Sequence, residues 1–412
     1  MKLRMPAGFL AALLVAASFA AAESDPHARQ LCGEANRIAR ELTSISGMEL
    51  KHPVPCDFIS KDQINAFLKK RVKEVAKPEE IRAEELTLKR FGLVPEDFDL
   101  AKNTVDLLTE QAAAFYDYDK KKLFITETTS SESQEPVLAH ELSHALADQT
   151  YNLRRFVKQG RKSDDGSTAR LAIMEGQATW LMSEYLARKS GQSLKDSPAL
   201  VTMMSNMSDS GAGQYPVFES APLYLRRSLI FPYTKGMLFQ NAVFQRDGKE
   251  AFGEVFRKPA VSTQQIIHPE KYFEGVKPAE PALPDAHLPH GYKGLVGGTF
   301  GEMEHDILLE QYAGKETARD LAPHWRGSTF ELRENKKAGR VVLLYAAEWD
   351  SVDAARRYFA AYRGVLEKKW HKFAVTSEAA DALSGTGDSG GFELRLKGAI
   401  VTSVEGLEPA IH

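Results

Sequence analysis

Apolar positions in this chain fall mostly at helical spacing, and the stretches that break the spacing mark its organisation. Residues 60–75 repeat near every 3.6 positions behind Ser60, a capping residue, which predicts a helix. Residues 78–91 predict another, opened by Pro78 and closed at Gly92. Across residues 112–126 the pattern changes to two short apolar runs around a polar Asp/Lys turn, the signature of a β-hairpin. Helical spacing returns at residues 137–153, with Pro136 suited to a first turn. It returns again at 169–189, after a polar loop at 160–168. Met203, Met204 and Met207 read as gap-filling core, and the Gly211-Ala212-Gly213 run behind them as a flap or hinge loop. Helical patterns resume from residue 222 to 258.

These stretches divide the chain, whose 412 residues already favour two domains. Residues 23–110 form a helical N-terminal region and 111–275 a mainly helical core with a small sheet edge. Residues 276–290, rich in proline and alanine, read as a linker. Residues 291–412 alternate helical runs (302–313, 351–367) with strand-like ones (340–346, 392–396, 399–404). The expected fold class is α+β, with a C-terminal module that is α/β or α+β. Residues 385–391 read as a mobile turn and not a phosphate loop, because no Lys-Ser/Thr pair or helix follows.

The N-terminus changes this picture. Lys2 and Arg4 precede an apolar run at residues 9–19 and the small residues Ala20-Ala21-Ala22, the layout of a signal peptide spanning residues 1–22. An exported protein, periplasmic or secreted, is therefore expected. No later apolar stretch is long enough to span a bilayer, so no stable membrane anchor is expected after cleavage. Cys32 and Cys56 are the two cysteines, and in an oxidising compartment a disulfide is the leading reading over a pair of buried thiols. A formal charge of −3 gives no electrostatic footprint for nucleic acid.

The candidate chemistry lies in His140-Glu141-Leu142-Ser143-His144. Residues four apart share a helix face, so the two imidazoles can bind one metal ion, with Glu141 placed to act on a water held there. A catalytic zinc takes three protein ligands. The segment 169–189 offers Glu175, set among Leu171, Ile173, Met174 and Ala178, where an unpartnered carboxylate is costly. Gly176 and Ala178 beside it permit close helix packing. Glu184 reads as more solvated. Asp148, one turn past His144, is a candidate to hold a ligand histidine's free N–H, with a solvated helix-end aspartate as the equal contender. The strand beside the motif helix is where an extended peptide would pair by strand addition.

His140-Glu141-x-x-His144 with a distal Glu175 resembles the gluzincin clan of zinc metallopeptidases, to which thermolysin and aminopeptidase N belong. Pro232-Tyr233-Thr234-Lys235-Gly236 is similar to the Tyr-x-Lys-Gly segment of the aminopeptidase N family, and Tyr233 lies 58 residues past Glu175. The resemblance implies a zincin-like catalytic domain with Zn²⁺ on His140, His144 and Glu175, Glu141 as general base, and Tyr233 as oxyanion donor. It implies a peptide or protein substrate. His268 is a candidate second oxyanion donor, as a downstream histidine is in thermolysin-like enzymes, with a hydrogen-bonded structural histidine as the favoured alternative. Two departures stand out. Glu175 follows His144 by 31 residues, longer than in either relative, and no Gly-x-Met-Glu-Asn segment is present to anchor a substrate amino terminus. The chain also resembles a group of bacterial exported HExxH proteins. The matching segments include Phe115-Tyr116-Asp117, His144-Ala145-Leu146-Ala147-Asp148-Gln149 and Glu175-Gly176-Gln177-Ala178. Rival readings are a non-proteolytic zinc-binding envelope protein on the same fold, and a zinc hydrolase acting on an ester or on cell-wall peptide.

Overall fold

The computed structural model describes residues 3–4, 26–75, 77–111, 113–126, 131–161, 163–207 and 215–408. The expected signal segment, apart from Leu3 and Arg4, and the expected Gly211-Ala212-Gly213 loop lie outside the described residues.

The N-terminal half opens with β1 (Leu3–Arg4) and α1 (Pro26–Ser46), then β2 (Cys56–Ile59), α2 (Lys61–Val75), α3 (Pro78–Phe91) and α4 (Leu100–Gln111). Cys56 is disulfide-bonded, and the chain's other cysteine is Cys32. Local chemistry sets the ends of these helices. Ser60 Oγ accepts from the Gln63 N–H at 3.2 Å while Gln63 Oε1 accepts from the Ser60 N–H at 2.9 Å, a reciprocal capping box in front of α2. Gly92 ends α3 at φ 79°, a left-handed conformation that favours glycine.

The expected hairpin is β3 (Ala114–Asp117) and β4 (Lys122–Thr126), paired antiparallel with Phe115 opposite Phe124 and Tyr116 opposite Leu123. In its turn Asp117 Oδ1 accepts from the N–H groups of Asp119 and Lys120 at 2.9 and 3.0 Å. β2 lies parallel to β4 on the other side, so the order is β2-β4-β3 and β3 is an edge. The motif helix α5 (Ser131–Tyr151) starts earlier than expected and carries Pro136 inside it, where the proline forgoes one backbone bond.

Next come α6 (Leu153–Gly160) and α7 (Asp164–Lys189). α7 begins five residues before its apolar period because Ser163 Oγ caps the Gly166 N–H and Asp164 and Asp165 suit the positive end of a helix. α8 (Pro198–Met207), α9 (Pro216–Ser220), α10 (Leu223–Asp247) and α11 (Ala251–Arg257) follow. The helical patterns expected over 222–258 are thus two main helices, parted at Gly248, which sits at φ 60°. α12 (Thr263–Ile267) and α13 (Pro269–Phe273) complete this half. No helix among the described residues is long and apolar enough to cross a membrane.

The remainder comprises β5 (Lys293–Gly298), α14 (Glu302–Ala313), α15 (Lys315–Leu321), β6 (Trp325–Asn335), β7 (Arg340–Trp349) and α16 (Val352–Lys369). Four strands close the chain: β8 (Ala374–Ala379), β9 (Ala382–Gly387), β10 (Gly390–Lys397) and β11 (Ile400–Leu407). They form one sheet in the order β1-β5-β6-β7-β11-β10-β9-β8, antiparallel except where β1 meets β5. An antiparallel sheet with α16 laid across β7, β10 and β11 makes this part α+β rather than α/β. The expected mobile turn at 385–391 is mostly strand: a Cβ on Gly385 would lie 2.1 Å from the Ala374 carbonyl oxygen, so glycine there lets β8 approach.

Residues 276–290 lie against the sheet: Leu283, Ala286 and Leu288 pack on Val342, Leu344 and Val404, the face turned away from α16. The N-terminal helices meet the sheet through Phe91, whose ring stacks on Phe300 at 4.1 Å and meets Phe330 and Tyr345 edge-on. One apolar cluster therefore runs from Ala35 on α1 to Val401 on β11.

Candidate metal centre and active site

α5 presents His140 and His144 one turn apart, and α7 brings Glu175 across to them. The two Nε2 atoms are 3.2 Å apart, and Glu175 Oε2 is 3.1 Å from His140 Nε2 and 3.3 Å from His144 Nε2. These three are the one group among the described residues whose His, Cys, Asp or Glu donor atoms converge in the manner of a metal site. The donor set fits a zinc ion. Ligand bonds of about 2.0–2.2 Å in tetrahedral geometry put donor atoms roughly 3.3–3.6 Å apart, close to the separations here. Burial works against ionisation of Glu175, but the charges of His144 and His140 and their hydrogen bonds hold its carboxyl well below the ordinary range.

Glu141 points to the hairpin. Its Oε2 accepts from the Tyr116 backbone N–H at 2.7 Å, so the β3 edge and the motif helix are tied at the residue expected to act as base. Burial, reinforced by Glu175 and opposed by His140 and the Tyr116 N–H, pushes the Glu141 carboxyl up to about 7.

Tyr233 comes from α10. Its ring stacks on His140 at 5.9 Å between centroids, and its hydroxyl donates to Glu175. Burial, then the charges of Glu175 and Glu141, push its pKa well above 10, so it stays a donor. A close crossing of α7 and α10 sets this approach. A Cβ on Gly176 would sit 2.0 Å from the Gly236 carbonyl carbon, and one on Gly236 would sit 2.1 Å from the Ala172 carbonyl oxygen. Glycine at both positions lets the backbones touch, next to Glu175 on one helix and one turn past Tyr233 on the other.

Three sequence expectations land elsewhere. Asp148 does not reach a ligand histidine. It is buried and accepts from the Tyr116 hydroxyl at 3.0 Å, Lys121 Nζ at 2.6 Å and the Leu153 N–H at 2.9 Å, a junction between hairpin and helix. Glu184 is not solvated: at 1% exposed it accepts from the Leu194 N–H at 2.8 Å, from Ser193 Oγ and from Arg188. The third is the oxyanion role offered for His268: the structure agrees instead with the favoured alternative of a hydrogen-bonded histidine, holding it against Glu302, Nε2 to Oε1 at 2.7 Å, with Glu270 at 3.6 Å, rather than among His140, Glu141, His144, Glu175 and Tyr233. What sequence reasoning missed is the pair of links through Tyr116. The hairpin was legible, but which backbone N–H faces Glu141 depends on strand register and docking.

Residues 93–189 match the family model of the IrrE N-terminal-like domain, Peptidase_M78. The matched segment contains α4, the hairpin and α5 to α7, and with them His140, Glu141, His144 and Glu175. It supports a zinc metallopeptidase-like domain, without the specific likeness to thermolysin or aminopeptidase N. Tyr233 and the C-terminal sheet lie beyond it. No curated protein and no solved structure matches the chain.

Proposed function

We propose that this chain is an exported zinc-dependent metallopeptidase that hydrolyses peptide bonds, with a gluzincin-type ligand set. The observation that carries the reading is the convergence of His140, His144 and Glu175 with a half-buried carboxylate, Glu141, and a phenol, Tyr233, on the same spot. His140, His144 and Glu175 would hold the ion, which when bound supplies Lewis acidity and makes a water acidic enough to attack at neutral pH. Glu141 takes the proton of the attacking water on a carboxylate oxygen and delivers it to the leaving nitrogen. The Tyr233 O–H donates to the oxygen that gains charge as the carbonyl becomes tetrahedral, an interaction strongest in the transition state. Peptide as substrate class is supported by β3, which is paired on one side by β4 and runs beside the motif helix, an edge to which an extended chain can add.

One observation favours a second reading. Glu141 already accepts from the Tyr116 N–H, as a carboxylate with a structural role would, which suits a zinc protein that binds or regulates without turnover. A single experiment separates the two: metal content and turnover of a peptide library for wild type and Glu141→Gln in parallel. One zinc in both proteins with cleavage in wild type alone supports the peptidase. Zinc in both with turnover in neither supports the second reading, and an active Glu141→Gln protein removes Glu141 as the base.

A further inference from the structure

A cavity of about 700 Å³ lies between α10 and the pair α14 and α15, and none of its walls comes from His140, Glu141, His144, Glu175 or Tyr233. Its size falls in the range of sites that enclose small molecules. Leu223, Ile230, Phe231, Ile267 and Met303 supply an apolar lining.

The charges around that lining are unevenly engaged. Of the carboxylates, Asp306 and Glu310 take Arg227 at 2.8 and 3.3 Å, with Lys315 at 3.8 Å from Glu310. Glu302 takes His268 at 2.7 Å through Oε1 while its buried Oε2 meets no donor, and Glu219 is exposed. Among the described residues no ion pair ties up Arg226, Lys235 or Arg319, although Lys235 acts on Asp306 at longer range. Arg226 lines the cavity half-buried and without an ion pair, while its Nε is shut off from the cavity and meets no acceptor. An arginine fork is shaped to take a carboxylate in two parallel bonds.

We propose that this cavity is a binding site for a carboxylate carried on an apolar body, with the head group on Arg226 and the rim cations and the body on the apolar lining. Two sources share that chemistry, the free C-terminus of an apolar peptide and a fatty acid. The assignment is independent of the peptidase reading. It differs from a catalytic subsite in needing the charge of the carboxylate, which an internal peptide bond lacks.

The test is calorimetric titration of the full chain with four probes: the tripeptide Leu-Leu-Phe with a free carboxylate, its C-terminal amide, dodecanoate and inorganic phosphate. Wild type should bind the free tripeptide, dodecanoate or both. Amidation should weaken the tripeptide at least about tenfold, the order expected for losing a charged hydrogen bond. Arg226→Gln should weaken the same ligands at least about tenfold. Because Arg226 is partly buried, a second variant, Lys235→Gln with Arg319→Gln at the exposed rim, should weaken them as well. Tighter binding of the tripeptide identifies a peptide terminus, and tighter binding of dodecanoate a lipid. No binding to wild type, binding indifferent to both variants, or phosphate binding as well as the apolar carboxylates would each overturn the proposal.

Discussion

Replacing Gly236 by alanine tests whether the α7–α10 crossing positions Tyr233. The added Cβ would lie 2.1 Å from the Ala172 carbonyl oxygen, 2.9 Å from its carbon and 3.0 Å from Gly176 Cα. All three are backbone atoms and cannot rotate away. Restoring a contact of about 3.4 Å requires an opening of roughly 3.4 − 2.1 = 1.3 Å along that line. α7 holds Glu175 against the histidines of α5, so α10 is the helix expected to move, carrying Tyr233 with it. A misplacement of about 1 Å costs roughly 100-fold in rate, about 2.7 kcal/mol, and overpacking a core costs on the order of 1–3 kcal/mol of stability. The assay is kcat/KM on a peptide cleaved by wild type, measured for Gly236→Ala, Tyr233→Phe and the double variant, together with metal content. Gly236→Ala should lose about 100-fold with zinc retained, and the double variant should be no worse than Tyr233→Phe alone, because both act through one hydroxyl. Losses that multiply in the double variant, or a Gly236→Ala enzyme within twofold of wild type, would refute the reasoning.

Removal of metal by 1,10-phenanthroline should abolish turnover and lower the melting temperature, with both restored by zinc. His144→Ala should bind no zinc in the same metal analysis. Burial pushes the Glu84 carboxyl up to about 8, and burial with the nearby charge of Asp165 raises Glu304 as well. Carboxyls that hold their protons more tightly when folded stabilise the fold most below the unfolded pKa of about 4.5, and that contribution fades as pH rises towards 8. The urea midpoint should therefore fall from pH 5 to pH 9, with a flatter profile for Glu84→Gln; a profile rising over that interval would contradict the assignment. Tyr116→Phe removes the hydroxyl bond to Asp148 but keeps the backbone N–H on Glu141. It should cost about 1–3 kcal/mol in denaturant unfolding while leaving kcat within a few-fold, and a large kcat loss at unchanged stability would count against this division of roles.

Much of the local structure was legible in the sequence, because its causes act within a few residues. The Ser60 cap and the Pro78 start and Gly92 stop of α3 are bonds or steric limits along one stretch of chain. The same locality explains why His140 and His144 could be paired on one helix face, and why small Gly176 hinted at a close approach. Glu175 was legible for a different reason, the cost of an unpartnered carboxylate in an apolar run. Partners chosen across space were not legible. Asp148 stands one turn from His144, yet the hairpin reaches it with the Tyr116 hydroxyl and Lys121, and those donors claim the oxygens a histidine would need. Glu184 looks solvated beside Tyr185 and Arg188, yet the chain folds back at Leu194 and buries it under a backbone N–H. His268 has no signal that separates a catalytic histidine from one facing Glu302, 34 residues later. The sequence alone determined which residues could bind metal, move a proton or bend the chain. Tertiary structure decided which of them meet, because burial and hydrogen-bond partners come from strand register and from where one helix backbone can touch another, as α7 and α10 do at Gly176 and Gly236.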